Sequence, residues 1–233
     1  MLKTSVYVRH MPQDDTTPDD SFPLDWDEEE EEEFDEAWAR VDQDAVELLH
    51  GALPEIVEED PPSGALAAAA DRLRTGMTER SWPFDHMRKA AGLGSRSLPK
   101  HNLELWLGAA GGYISMRDES GMGIEEEATL ASLEHADWLG AVIGLVRAGV
   151  GARAEPDDLL RYANSCPEIE GEIDFDDEDM VETGYEMILT PWEVAGALDE
   201  LRHLTALGRW GLPRALAWAW NGDFDATPPD DGD

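Results

Sequence analysis

Apolar positions early in the chain fall at steps of four, three, four and three: Phe34, Trp38, Val41, Ala45 and Leu48. That spacing draws one stripe along a helix. It predicts a docked amphipathic helix within Leu24–Gly51, even though Glu28 to Glu33 are six consecutive glutamates. Carboxylates at a helix start meet the positive end of its dipole, and His50 with Gly51 supply a C-terminal stop. A solvated polyglutamate tail has no such stripe, so Phe34, Trp38, Val41 and Leu48 are the expected docking residues, against the body or a partner.

The next segments alternate helix starts and stops. "SGALAAAADRLRTG" reads as a short helix ended by Gly76, and "SWPFDHMRKAAGLG" as a second, capped by Ser81, with Pro83 in its first turn and Gly92 as terminator. "SLPKHNLELWLGAAGG" repeats the grammar with Ser97, Pro99 and the pair Gly111 and Gly112. "YISMRDESGMGIEEEA" then predicts strand, tight turn and weaker strand, before Thr129 caps a core helix carrying Leu130, Leu133, Leu139, Val142, Ile143 and Val146.

The second half follows the same order. After that helix, "PDDLLRYANS" predicts a short helix, and Asp176 to Leu189 a longer one limited by Pro191. Val194–Leu198 and Arg202–Leu204 predict a brief hairpin around "DEL", with Thr205 capping the closing helix. Architecture recurs between the halves, whereas residue identity does not.

Charge changes the picture. The formal net charge is -36, with a sequence pI near 4.2, an excess that self-repels and weakens a compact state. From Asp14 to Asp60 there are 21 acidic residues against the single Arg40. From Asp71 to His101 the balance reverses: Arg72, Arg74, Arg80, Arg88, Lys89, Arg96 and Lys100 face only Asp71, Glu79 and Asp85. An acidic arm therefore precedes a basic island. "EIEGEIDFDDEDMVE" is acidic again, and "GDFDATPPDDGD" reads as a disordered acidic tail. Cys166 is the only cysteine, which excludes an intrachain disulfide framework. No run approaches the roughly 18–20 apolar residues of a membrane span, and "MLKTSVYVRHMPQDD" lacks the apolar core of a signal peptide, so a cytoplasmic protein without a membrane partner is expected. Three lysines against 14 arginines, among many alanines and glycines, suggest a high-GC bacterial genome.

The order of three helices, hairpin and helix, and especially "GALDELRHLTALGRW", resembles the winged-helix superfamily. "LTALGRWGLPRALAWAW" is also similar to the C-terminal part of uncharacterised actinobacterial proteins, which brings no activity with it. The winged-helix resemblance implies a mainly α chain with short β-hairpins, built as tandem winged-helix-like modules behind an acidic N-terminal helix. The resemblance covers roughly Ser63 to Trp220, as a first module 63–136 and a second module 137–222; composition and charge set apart a flexible segment 1–23, the acidic helix and linker 24–62 and a disordered acidic tail 223–233. In that family the third helix enters the major groove and the wing touches phosphates. The resemblance thus points to Lys100, His101, Asn102 and Arg117 in the first module, with Arg88 and Lys89 alongside in the basic island. The equivalent helix of the second module carries Asp176, Asp177, Glu178, Asp179 and Glu182, which repel phosphate.

No motif implies catalysis, a cofactor or a metal. "DFDDEDMVETGYE" departs from a calcium loop at Asp179, where glycine is needed, and at Tyr185, where a bidentate glutamate belongs. His10, His50, His86, His101, His135 and His203 have no metal-ligand spacing, and "LGAAGGY" follows a helix, not a strand. Nine tryptophans are mostly core residues; Trp218 and Trp220, two apart, cannot share one helix face. Three function classes follow. The first is a non-enzymatic interaction or regulatory protein docking an unknown protein partner. The second is a DNA-binding regulator acting through residues 72–117 with the acidic arm as mask. The third is an acidic mimic of nucleic acid seated in a basic groove of another protein.

Overall fold

A computed structural model describes residues 7–8, 28–115, 133–170 and 178–220, with side chains described from residue 39 onward except at 170 and 178. The side chains of Phe34 and Trp38, together with Arg117, Thr129 and the predicted strands beyond Ser115, lie outside what is described. Nine helices fall within these residues: α1 (Glu28–Ala52), α2 (Pro54–Val57), α3 (Ser63–Glu79), α4 (Phe84–Ala90), α5 (Asn102–Ser115), α6 (His135–Ala148), α7 (Pro156–Ser165), α8 (Glu178–Val194) and α9 (Ala206–Ala219). Among the described residues, strands are limited to a two-residue parallel pair, β1 (Tyr7–Val8) beside β2 (Ile169–Glu170). The chain is mainly α. No helix among the described residues is long and apolar enough to cross a membrane.

One continuous hydrophobic core draws on both halves. Helix α5 packs on α9, α3 and α4, while α6 packs on α7, α9 and α1, so the boundary at 136/137 does not divide the core. Two fully buried tryptophans cross-link it: Trp106 Nε1 donates to the Ala195 carbonyl at 2.8 Å, and Trp192 Nε1 donates to the Ala110 carbonyl at 3.1 Å. A buried indole N–H left unmade would cost its desolvation, so each bond fixes register as well as area. Tyr185 Oη donates to the Asp137 carbonyl at 3.0 Å and joins α8 to α6.

Several expected stops are contacts instead. Helix α3 runs past Gly76 to Glu79 and ends at Arg80, whose φ of 53° is left-handed. A Cβ at Gly76 would fall 2.3 Å from the Phe84 ring, so glycine is there to admit that ring. Gly111 and Gly112 lie inside α5; their Cβ atoms would meet the Ala215 carbonyl oxygen at 2.5 Å and the Ala91 nitrogen at 2.7 Å. The pair lets α9 and α4 approach one backbone from two sides, and α5 continues through Tyr113, Ile114 and Ser115, which the sequence assigns to a strand. Helix α5 also begins at Asn102 and not after a Ser97 cap; the Pro99 and Lys100 carbonyls just ahead of it accept from Arg74.

Pro191 sits within α8 and does not limit it. Proline in a last turn removes one amide donor, and the buried Trp192 with its bond to Ala110 retains that turn. The hairpin expected around "DEL" is reduced to an isolated bridge, Leu198 with Leu204, beside a second between Arg153 and His203. Asp199 shapes it by accepting from the Leu201 and His203 amides, each at 2.9 Å. Thr205 caps α9 as the sequence predicts, accepting from the Gly208 amide at 3.0 Å. Helix α6 starts at His135, where the Asp137 carboxylate accepts from the Glu134 amide at 2.9 Å.

Gly112→Val should lower the free energy of unfolding by about 1–3 kcal/mol or more, from a backbone clash that no side-chain rotation relieves. Gly64→Ala, in the first turn of α3 with nothing within 4 Å of the added Cβ, should be neutral or stabilise by up to about 1 kcal/mol. Urea unfolding of the two variants checks the contrast.

Candidate interaction surface

The basic island folds into a turn and a loop. The turn, Arg80 to Pro83, joins α3 to α4; the loop, Leu93 to His101, leads into α5. Three of the seven cations donate to the loop's carbonyls, Arg88 from a buried position, Arg74 from a half-buried one and Arg80 from the exposed side. Arg74 donates to the Pro99 carbonyl at 2.7 Å and to Asn102 Oδ1 at 3.1 Å. Arg80 reaches the Gly94 carbonyl at 3.2 Å and Asp85 at 3.4 Å. Arg88 donates to the Gly94 carbonyl at 2.8 Å and also to the Arg96 carbonyl. A planar fork of donors suits such carbonyl pairs, which a lysine cannot bridge in the same way.

The proposed contact residues therefore separate. Arg88 is buried and turned toward the loop's own backbone, so it is not presented to a phosphate. Asn102 is half-buried and accepts from Arg74. Lys89 is partly exposed and paired with Asp85 at 3.3 Å. Lys100 and His101 are exposed, but precede α5 and do not lie on it. With Leu93, Arg96, Ser97, Leu98, Pro99 and Glu104 they line an open groove. Trp82, in the turn between α3 and α4 and not among the groove's lining residues, is 74% exposed. The sequence reading leaves Trp82 unremarked; its only signal is a position in the turn ahead of Pro83, outside the periodic apolar stripes.

The acidic helix meets the body at its C-terminal half. Ala45, Val46, Leu49, Ala52 and Leu53 are buried, while Val41 and Leu48 are half-buried at the edge of that face. His135 Nε2 lies 2.7 Å from Asp42 Oδ1, and the His135 ring lies 4.6 Å from that of Trp220. Trp218 faces α5 instead, against Gly108 and Gly111, so each of the two tryptophans has its own helix to cover. Arg147 donates to the Ala52 carbonyl at 3.0 Å, and the buried Arg214 to the Ile56 carbonyl at 3.1 Å. Arg209 and Trp210 both hold Glu59, through its carboxylate at 2.6 Å and its carbonyl at 2.9 Å.

Two further clusters are structural. Arg202 sits among Glu155, Glu186 and Glu193 at 2.7–2.9 Å and joins the 153–155 segment, α8 and the Asp199 turn. The Arg202 hydrogen bond holds the Glu155 carboxyl below its ordinary range against a smaller opposing cost of burial. Burial pushes the Cys166 thiol up to about 11. Its Sγ lies 3.3 Å from Glu168, whose carboxyl Arg147 in turn holds low through a hydrogen bond. Among the described residues no group of three or more His, Cys, Asp or Glu side chains is placed to hold a metal ion. Comparison with family models, curated proteins and solved structures gives no match for the chain.

Thiol titration of the folded protein near pH 8 should leave Cys166 unmodified, and denaturant should release one reactive thiol. A depressed folded pKa means that Glu155 contributes stability in full above the ordinary glutamate range and loses it as pH falls below that range. Arg202→Met should therefore move the Glu155 titration upward by NMR and make the acid limb of the stability profile shallower.

Proposed function

We propose that this chain is a non-enzymatic interaction or regulatory protein whose docking platform is the Arg80–Pro83 turn together with the Leu93–His101 loop. The observation that carries this reading is Trp82: a large aromatic side chain, 74% exposed, on a turn whose neighbours are held in place by hydrogen bonds. Tryptophan is enriched among residues that dominate binding energy at protein interfaces, and a braced surface loses little conformational freedom when a partner docks. The winged-helix order of elements enters as scaffold, with α5 in the place of the contact helix. Duplex DNA is the weaker reading, because Arg88 and Asn102 are engaged within the fold. The rest of a chain carrying -36 also repels a long polyanion.

A photo-crosslinking residue in place of Trp82 in the full chain, irradiated in extract of the native cells, should give a discrete protein adduct. The same residue in place of Leu201, which is 71% exposed on the Asp199 turn, is the control and should not give that adduct. Nucleic acid attached at Trp82 would favour the DNA-binding regulator. Equal labelling from both positions would remove the platform reading.

A further inference from the structure

The two-residue sheet joins the start of the chain to a segment far along it. Its inner strand, β2, is built into the body. Ile169 is buried in the core, its amide donates to the Cys166 carbonyl at 3.2 Å, and β2 lies against α6. Arg147 of α6 clamps Glu168 through two bonds, at 2.6 and 2.8 Å, and the same guanidinium donates to the Ala52 carbonyl of α1. None of these anchors involves β1.

The outer strand is held by less. β1 pairs in parallel with β2, Tyr7 opposite Ile169 and Val8 opposite Glu170. Parallel pairing is slightly weaker per residue than antiparallel, and a two-stranded sheet standing alone is marginally stable in water. Residues 9–27 separate β1 from α1, so the pairing also bears the entropy of closing that loop.

Composition indicates what the edge takes. Residues 1–13 carry Lys3, Arg9 and His10 and no Asp or Glu, at the head of a chain with a formal charge of -36. Val6, Tyr7 and Val8 are of types that favour strands. β2, by contrast, lies near the start of the acidic stretch 168–182. The Glu168 carboxylate is engaged by Arg147, and Glu170, Glu172 and Asp174 follow it in sequence.

We infer that the Ile169–Glu170 edge is a strand-docking site for an extended basic segment of a partner protein, and that the chain's own Tyr7–Val8 fills it as an exchangeable strap. Main-chain hydrogen bonds along such an edge supply affinity, and the flanking charges select the partner. The site is on different elements from the Trp82 turn and does not depend on the platform reading.

The test titrates the full chain into a fluorescein-labelled peptide of residues 3–10, KTSVYVRH, read by anisotropy. A second titration uses the full chain carrying Tyr7→Pro and Val8→Pro, whose prolines remove two strand amides and so empty the edge. That variant should bind the peptide about tenfold or more tighter than the parent, because its binding-competent state is no longer scarce. Its binding should weaken with added salt, on adding Glu170→Lys, and with a peptide in which Glu replaces both Lys3 and Arg9. Equal helical circular dichroism of parent and variants shows that each is folded. Should the double proline variant misfold, Val8→Gly, which weakens strand pairing and keeps every amide, should give the same order with a smaller gain. The inference is overturned if the folded open variant does not bind the peptide, binds it no tighter than the parent does, or binds the charge-reversed peptide equally. A concentration-dependent dimer of the parent that the proline variant loses would assign the edge to a second copy of this chain and overturn the separate partner.

Discussion

Arginine bound to main-chain carbonyls is the interaction on which this fold depends. The chain has only 17 lysines and arginines to set against 53 acidic residues, and several of the arginines donate to backbone oxygen. Arg74 and Arg88 hold the loop ahead of α5, Arg147 holds the end of α1, and Arg214 holds α2. A carbonyl facing the interior needs a donor. The guanidinium supplies several from one side chain, so a single residue fastens an irregular segment that makes no helix or sheet of its own.

The same constraint explains how an acidic helix can lie on an acidic body. Its attachment is apolar on the buried face, through Ala45, Val46, Leu49 and Ala52, and is joined by polar contacts from α6. Helix α9 then fixes α2 and Glu59 through Arg209, Trp210 and Arg214. Packing of Arg214 over the Trp210 ring, at 4.3 Å from its centroid, adds a cation–π contact within that clamp. Like charges elsewhere on the molecule repel over distances that salt screens, whereas these contacts act at bonding distance.

The character of the basic island depends on which of its cations are left outward. Seven basic residues between Asp71 and His101 suggest by count a surface for phosphate. Folding engages Arg74 and Arg88 with main-chain carbonyls and leaves Arg96, Lys100 and His101 lining an open groove, with Trp82 exposed on the turn between α3 and α4. The resulting surface is mixed, part cationic and part apolar.

What the sequence determined by itself is local. Periodic apolar spacing made α1 legible, capping chemistry placed Thr205 at the start of α9, and "PDDLLRYANS" was readable as the short helix α7. These features depend on residues within a turn or two of each other, so the order of residues contains them. The glycines were read as stops because glycine ends helices in isolation. Gly76, Gly111 and Gly112 instead sit where Phe84, Ala215 and Ala91 press close, and those neighbours come from other elements. The candidate surface divided in the same way. Its basic composition was visible along the chain, but the burial of Arg88 and the exposure of Trp82 were decided by how α3, α4 and the following loop pack. A side chain's partner across 25 or more residues, as for Arg74 and Pro99, is fixed only when the tertiary structure closes.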